Sequence, residues 1–246
     1  MIAHTGLMSR RRAEDLIRAG RVTIDGKVAV LGDRGDPQTA RITVDDVPLP
    51  VRPDLVYALL YKPHGVISTA DDPQGRPTVI DMVDAGTRLY PVGRLDADSE
   101  GLILLTNDGS LTNLVTHPRY GVTKTYLAKI HGNPGNAAMR SLVEGVELED
   151  GLAKAVSARI VDRHKSQSLV EIVMSEGRKR EVRRMFEAVG HDVDRLVRLA
   201  IGSVRDGSLE PGAWRPLTLD EVRSLYADAG AAWQDAPAVV TEDEDE

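Results

Sequence analysis

The chain has 246 residues, of which 41% are hydrophobic and 28% charged, as in an ordinary globular protein. It has no cysteine, which excludes disulfides, zinc–cysteine sites and a thiol nucleophile, and no apolar run approaches the roughly 20 residues that span a bilayer. The net charge of −7 is uneven, because residues 220–246 hold nine acidic side chains and one basic side chain and leave residues 1–219 close to neutral. A nucleic-acid partner is therefore not excluded, and a cytoplasmic location is expected.

The first segment, residues 9–36, predicts a helix followed by a β-hairpin. Ser9 is a suitable cap for a helix that ends near Gly20. Two strand-like runs, RVTI and KVAV, are joined by Asp25-Gly26, a dipeptide typical of tight hairpins. The cations of the helix, which predict contacts with RNA phosphates, are Arg10, Arg11, Arg12 and Arg18. A polybasic membrane patch is the alternative interpretation, but no apolar anchor accompanies these cations.

The chain beyond residue 54 predicts an α+β fold with a mainly antiparallel sheet. Pro48, Pro50 and Pro53 indicate a linker before it. Strand-like runs follow as LVYALLY, GLILLT, KTYLAKI, AKAVSARIV and SLVEIVM. Helical patterns cover residues 110–116, 136–144, 179–189 and 217–227. Since the elements are short and long βαβ periodicity is lacking, a doubly wound parallel sheet is disfavoured.

The stretch GRLDADSEGLILLTNDG, residues 93–109, has several interpretations. Asp96, Asp98 and Glu100 alternate ahead of a glycine, as in a calcium loop, but the twelfth position is Asn107 instead of a bidentate glutamate. The acids could instead simply solvate a turn. A third possibility starts from Arg94, because an aspartate that a guanidinium keeps ionised is suited to react at a sugar carbon. A glycosidase pair is disfavoured, since neighbours on one turn rarely oppose each other across a substrate.

A second stretch, EGRKREVRRMFEAVGH at residues 176–191, predicts a basic helix. Its cations are Arg178, Lys179, Arg180, Arg183 and Arg184. Cations at a helix N-terminus oppose the macrodipole, so their placement favours a functional role, and guanidinium groups suit phosphates and carboxylates. An ordinary charged helix face is the alternative interpretation. No histidine has the spacing of a metal site, and no metal or other cofactor is expected.

Taken in order, these motifs resemble the RNA pseudouridine synthases of the RsuA/RluB group. The resemblance rests on KPHGVIST, GRLDADSEGLILLTNDG, HPRYGVTKTYLAKIHG, EGRKREVRRMFEAVGH and RLVRLAIG, and covers residues 9–227. The N-terminal segment is similar to the small RNA-binding S4 domain of that group. The group usually has a longer apolar–basic stretch before the position of Ser9, so the first S4 helix is expected to be truncated.

The resemblance implies a cofactor-free conversion of a uridine in RNA to pseudouridine. Asp96 matches the catalytic aspartate of the group, which either attacks the ribose anomeric carbon or abstracts a sugar proton to give a glycal. Tyr126 matches the tyrosine that stacks under the flipped base, and Arg183 matches the arginine that pairs with the aspartate and keeps it charged. Leu196 matches an apolar residue of the pocket, and Arg94 is expected beside the flipped nucleotide. Asp98 and Glu100 are then expected to shape the turn.

These expectations define the domains and partners of the protein. We expect residues 1–47 to form the S4-like domain, 48–54 the linker, 55–230 the catalytic domain and 231–246 a disordered acidic tail. The expected partner is ribosomal RNA or a ribosomal assembly particle, with large-subunit RNA favoured over small-subunit RNA, and the expected state is a monomer without membrane contact. A noncatalytic ribosome-assembly factor is the rival class, but it would not need the set of Asp96, Tyr126 and Arg183.

Overall fold

A computed structural model of the chain describes residues 10–34, 40–48, 55–70 and 72–230. The structure divides into one unit of Met1–Leu55 with Thr218–Glu246 and a second unit of Val56–Leu217. The predicted tail, most of the predicted linker and the side chains of Arg10, Arg11 and Arg12 lie outside the described residues. None of the described helices is long and apolar enough to cross a membrane.

The first unit contains the predicted helix and hairpin. Its elements are α1 (Arg10–Arg18), β1 (Val22–Ile24), β2 (Lys27–Val28), β3 (Ile42–Val44) and β4 (Val47–Pro48). The strands form an antiparallel sheet in the order β2-β1-β3-β4. Asp25 and Gly26 both have positive φ, 51° and 80°, as the predicted tight turn requires. Leu16 of the helix packs in a small core with residues of the strands, including Val22 and Val44.

A second hairpin in this unit turns at Asp45 and Asp46. Both residues have positive φ, 50° and 64°, without a glycine to relieve the strain. Arg21 compensates, because its guanidinium donates two hydrogen bonds to the Asp45 carboxylate at 2.8 and 2.6 Å. This hairpin is absent from the elements predicted above, since Asp-Asp is a weak turn signal and the prolines that follow indicate a linker.

The second unit is built on a large sheet. The strands of this unit are β5 (Tyr57–Lys62), β6 (Tyr90–Val92), β7 (Ser99–Thr106), β8 (Lys124–His131), β9 (Val146–Leu148), β10 (Gly151–Ala153), β11 (Ser157–Arg163), β12 (Gln167–Met174), β13 (Val193–Ile201), β14 (Val204–Arg205) and β15 (Trp214–Pro216). All of them belong to the large sheet except β9 and β10, which form a separate antiparallel pair. The main order is β11-β12-β8-β13-β7-β5-β15, with β14 beside β13 and β6 beside β7. The β7–β13 pair is parallel and its neighbours are antiparallel. The predicted α+β class with a mainly antiparallel sheet is confirmed.

The helices lie close to the predicted segments. They are α2 (Gly109–Thr116), α3 (Asn136–Glu144), α4 (Glu181–Ala188) and, grouped with the first unit, α5 (Leu219–Asp228). Helix α4 begins two residues later than residue 179 because its N-cap, Arg180, has a left-handed backbone with φ 51°. Helix α5 begins after Thr218, which forms a reciprocal capping box with Glu221.

Gly101 allows the parallel strands β7 and β13 to approach closely. It has φ +103°, and a Cβ at this position would lie 2.3 Å from the backbone oxygen of Arg198. Any other residue type at this position would overlap the Arg198 backbone. The glycine that resembles position 6 of a calcium loop therefore has a packing reason, and this pairing places Leu196 opposite Ser99, three residues after Asp96.

Candidate active site

Asp96 lies on a short loop that joins β6 to β7, and the backbone of this loop is tightly held. Ser68, which is buried, accepts from the Leu95 N–H at 3.1 Å and donates to the Leu95 carbonyl at 2.9 Å. The Gly65 N–H donates to the Ala97 carbonyl at 2.8 Å. The loop also closes on itself, since the Ser99 N–H donates to the Asp96 carbonyl at 3.0 Å. Catalytic groups need such fixed backbones to keep their geometry.

A cavity of about 360 Å³ brings together Arg94, Asp96, Tyr126 and Leu196, which are all of the residues predicted for catalysis or the substrate pocket except Arg183. Asp96, Tyr126 and Leu196 line it, from the β6–β7 loop, from β8 and from β13. Tyr126 and Leu196 are only 9% and 5% exposed, so their apolar surfaces face the cavity from within the core. The volume lies in the range of pockets that hold small ligands, roughly 300–1,000 Å³.

Two polar groups that line this cavity, the Asp96 carboxylate and the Tyr126 hydroxyl, lack partners in the described part of the chain. Asp96 is half-buried, and no hydrogen bond or ion pair joins its carboxylate to any other described residue. The Tyr126 hydroxyl likewise has no hydrogen-bond partner among the described residues. A carboxylate and a phenol held next to apolar walls, with their polar atoms free, can act on a bound molecule.

Arg183 makes different contacts from those expected. Its guanidinium donates to the Val193 carbonyl at 2.8 Å and to the Asp98 carbonyl at 2.9 Å, and its Nε lies 3.5 Å from the Asp98 carboxylate. The expected pair with Asp96 is therefore replaced by a pair with Asp98. The physical reason is that Arg183 extends from α4 to the base of the loop, where the Asp98 backbone and side chain both present oxygens.

Asp98 pairs with two arginines, Arg180 and Arg183. Arg180 donates to its carboxylate at 2.8 Å, and Arg183 approaches the same oxygen. Although partial burial opposes ionisation, the hydrogen bond from Arg180 and the charge of Arg183 hold the pKa of Asp98 below its ordinary value. Asp98 thus does more than shape the turn, because it ties the Asp96 loop to the N-terminus of α4.

The contacts of the remaining acids argue against the calcium interpretation. Glu100 accepts two hydrogen bonds from Arg195, at 2.8 and 2.7 Å, and these hold its pKa below the ordinary value despite opposing burial. Asp98 and Glu100 therefore face different guanidinium groups instead of converging on one cation. Within the described ranges, no cluster of three histidine or carboxylate side chains could hold a metal ion.

In the basic segment the arginines form ion pairs, whereas Lys179 has no polar partner among the described residues. Arg178 donates to Glu181 at 2.9 Å and to Glu176 at 3.0 Å, and it also binds the backbone carbonyls of the β9–β10 turn. Arg184 forms a two-point pair with Asp150, at 2.8 and 3.0 Å. Lys179 is exposed and has no polar partner among the described residues. Arg178 and Arg184 hold this segment on the β9–β10 turn, and their contact with RNA remains a prediction.

The other predicted RNA-binding residues lie in two places. Arg94 is exposed and lines the cavity of Asp96 as well as two adjoining cavities of about 320 and 460 Å³. Arg18, in the first unit, is exposed and pairs with Glu14 and Asp15 on the same helix. Arg10, Arg11 and Arg12 begin that helix, and the structure does not describe their side chains.

Sequence reasoning missed Lys62 and Ser68 as supports of the loop. Lys62 has no exposed surface, and its ammonium donates to the Pro63 carbonyl at 3.0 Å and the Ala97 carbonyl at 3.4 Å. Burial lowers its pKa to about 8, although the charges of Asp98, Glu100 and Asp96 oppose that shift. The KPHGVIST motif contained both residues, but a lysine before proline indicated only a turn.

Comparison with known sequences identifies two matches along the chain. Residues 56–188 match the RNA pseudouridylate synthase family, and residues 2–34 match the S4 domain. An uncharacterized RNA pseudouridine synthase of Mycobacterium leprae is 45% identical over 94% of this chain and 92% of its own length. The ribosomal large subunit pseudouridine synthase B of Bacillus subtilis is 43% identical over 92% of this chain and 94% of its own length.

A solved structure has the same architecture. The chain described as the crystal structure of pseudouridylate synthase has a TM-score of 0.63 and 33% identity, over 91% of this chain and 96% of that one. The archaeal box H/ACA Nop10–Cbf5 complex contains a chain with a TM-score of 0.52 at 18% identity, a likeness of fold alone.

Proposed function

The chain belongs to the RNA pseudouridylate synthase family, and on that premise we propose that it isomerises a specific uridine of large-subunit ribosomal RNA. Two observations support this target. The Bacillus subtilis relative is named for the ribosomal large subunit, and the S4 match adds an RNA-binding segment to the chain. The working form in this proposal is a cytoplasmic monomer that acts on ribosomal RNA or on an assembly particle.

Asp96 is the catalytic carboxylate in this proposal. The observation that carries the assignment is its free carboxylate in a cavity that Tyr126 and Leu196 also line. The reaction breaks the bond from the ribose C1′ to N1 of uracil and forms a bond from C1′ to C5. The base is released as the bond to N1 breaks, turns within the cavity, and loses its C5 proton to solvent while N1 gains one. Asp96 either bonds to C1′ and leaves that carbon again as C5 attacks it, or removes a ribose proton to give a glycal and returns that proton as the bond from C1′ to C5 forms.

The surrounding residues have supporting roles. Tyr126 forms the wall on which the flipped base stacks, since base–aromatic stacking is worth roughly 1–3 kcal/mol and offsets part of the cost of unstacking. Leu196, on the neighbouring strand β13, adds an apolar surface that excludes water from the cavity. Arg183 and Arg180 act through Asp98 and fix the loop, and Arg94 and Lys179 are exposed to meet the RNA backbone.

The test of this proposal is tritium release from carbon-5-tritiated ribosomal RNA. Large-subunit and small-subunit transcripts are incubated separately with the protein in the presence of EDTA, and a parallel Asp96→Asn preparation reports contaminating synthases. We expect release from the large-subunit transcript alone. Release from the small-subunit transcript alone would refute the proposed target, and release from neither RNA nor from precursor particles would refute the proposed function.

A further inference from the structure

A second cavity adjoins the one that holds Asp96. It has a volume of about 320 Å³ and lies wholly within the second unit. Tyr126 and Arg94 line both cavities, so the second cavity begins next to the predicted stacking surface for the base. Lys124 and Arg198, which come from the neighbouring strands β8 and β13, also line the second cavity.

The charges around this cavity are unbalanced. Glu176 is the acidic residue that lines it, and its carboxylate is already bound by Arg178 at 3.0 Å. Lys124 donates only to neutral backbone oxygens, those of Val115 at 2.8 Å and Val122 at 2.7 Å. Neither Lys124 nor Arg198 forms an ion pair with any carboxylate that the structure describes.

Arg198 is the more unusual of the two cations. It is only 4% exposed, and its Nε donates to the Leu102 carbonyl at 2.6 Å. Its Nη2 is buried and has no hydrogen-bond partner among the described residues. A buried guanidinium without a counter-ion is costly, since desolvation of the charge is not offset.

A purely structural role explains part of this arrangement. Lys124 holds the end of α2 through the Val115 carbonyl, and Arg198 holds β7 through the Leu102 carbonyl. Neutral donors could make those bonds. The structural role therefore does not explain why two adjacent cations are present or why a guanidinium nitrogen of Arg198 has no partner among the described residues. Burial and the neighbouring Arg198 charge together lower the pKa of Lys124 to about 8, so the positive charge is retained at a cost.

We propose that this second cavity binds a backbone phosphate of the substrate RNA next to the uridine held in the first cavity, through Lys124 and Arg198. The inference rests on the proposed function, because an RNA strand is what would bring a phosphate and a flipped base together. A phosphodiester supplies the missing anion at a fixed distance from the base. This subsite would hold the strand in register, so that the base on Tyr126 faces Asp96.

The first experiment scans the RNA. A short RNA that contains the target uridine is made with one neutral methylphosphonate at a time, at each linkage on both sides of that uridine. We expect the affinity to fall about tenfold at one linkage near the uridine and much less at the others. A flat scan overturns the proposal whatever the variants do.

The second experiment combines the scan with Lys124→Met. The matched control is Lys129→Met, because Lys129 lies on the same strand, does not line the cavity, and pairs with Asp194 at the surface. Lys124→Met should raise KM about tenfold with little change in kcat, and should lower the slope of log Kd against log salt concentration by about 0.7. At the sensitive linkage, the methylphosphonate should cause a clearly smaller loss in Lys124→Met, where only Arg198 still meets the phosphate, but its full loss in Lys129→Met. If the methylphosphonate at that linkage lowers the affinity of Lys124→Met by as large a factor as that of Lys129→Met, the proposal is overturned.

The proposed function and the proposed phosphate subsite can be refuted separately. Unmodified RNA and wild-type protein report the proposed function, since pseudouridine either forms or does not. If it forms and the scan is flat, only the phosphate subsite is refuted. Inorganic phosphate is added in a third arm, and inhibition of the wild type together with a flat scan would assign the cavity to free phosphate instead of RNA. Thermal unfolding of each variant confirms that it is folded, and the scan on the wild type does not depend on the variants.

Discussion

At the scale of single residues, two aspartates of one loop have opposite surroundings. Asp96 has a carboxylate without a partner among the described residues, whereas Asp98, two positions later, binds Arg180 and approaches Arg183. Arg180 and Arg183 both approach Oδ2 of Asp98, and this ion pairing holds the Asp98 side chain in place against the guanidinium groups, so Asp98 is unsuited to attack a sugar. The free carboxylate of Asp96 is suited to it. Different environments thus give two identical side chains different tasks.

Lys62 is a buried cation that supports the same loop. It has no exposed surface, and burial lowers its pKa to about 8. In the unfolded chain the lysine regains its ordinary pKa of 10.5, so between these two values the unfolded state binds more protons than the folded state. Stability therefore rises with pH through this window, because stability increases wherever the unfolded state holds the extra proton.

Lys62→Met should remove much of that rise. We expect the free energy of unfolding of the wild type to increase between pH 7.5 and 9.5 by about 1–2 kcal/mol more than that of Lys62→Met, since each unit of pKa shift corresponds to about 1.4 kcal/mol. Urea denaturation at the two pH values measures it. Lys165→Met is the control, because Lys165 is exposed and should keep the wild-type response. Equal responses in the two variants would contradict the role of Lys62.

At the scale of elements, the parallel pairing of β7 and β13 joins the Asp96 loop to Leu196. This pairing requires Gly101, since a Cβ there would overlap the Arg198 backbone at 2.3 Å and the residue has φ +103°. The two strands belong to distant parts of the chain. Their register places Leu196 opposite Ser99 and so fixes where Leu196 lies relative to the Asp96 loop.

Gly101→Ala should therefore lower the free energy of unfolding by about 3 kcal/mol or more, because strain and overlap with backbone add. Gly121→Ala isolates the strain, since Gly121 also has positive φ, +65°, but a Cβ at that position would meet no atom within 4 Å. That control should cost about 1 kcal/mol. Urea denaturation of both variants provides the comparison, and equal losses would show that close strand approach is unimportant.

The elements also show what can be predicted from sequence. The turn at Asp25-Gly26 was predicted because its backbone requirement is local, and five strands of the large sheet, β5, β7, β8, β11 and β12, were predicted from their runs of apolar residues. The strands β6, β13, β14 and β15 were not predicted, since they are short or, in β13, interrupted by charged residues. The Asp45-Asp46 hairpin was missed because Arg21, which stabilises it, is 24 residues away. The partners of Asp98 and Glu100 were missed for the same reason, since they lie 82 and 95 residues later in the chain.

At the scale of the whole molecule, charge is segregated along the chain. Residues 231–246 contain six acidic and no basic side chains, and without them the net charge would change from −7 to −1. An RNA polyanion is repelled by such a segment, and salt screens the repulsion over about 10 Å at 0.1 M.

Removal of residues 231–246 should raise the affinity for nonspecific RNA several-fold at about 0.05 M salt and leave it unchanged near 1 M salt, where screening is nearly complete. Filter binding to an RNA without a target uridine measures both conditions. The control retains the length of the segment and replaces its acids with Asn and Gln, which should reproduce the effect. An increase that appears only on truncation, or one that persists at high salt, would contradict the electrostatic explanation.

The most direct test of the catalytic assignment compares Asp96→Asn with Asp98→Asn in tritium release from the carbon-5-tritiated target RNA. Both substitutions remove one negative charge from the same loop and differ little in volume. We predict that Asp96→Asn abolishes release while RNA binding is retained, and that Asp98→Asn slows release by about 10–100-fold through loss of the contacts to Arg180 and Arg183. Release that survives in Asp96→Asn and disappears in Asp98→Asn would show that the ion-paired aspartate, and not the free one, performs the chemistry.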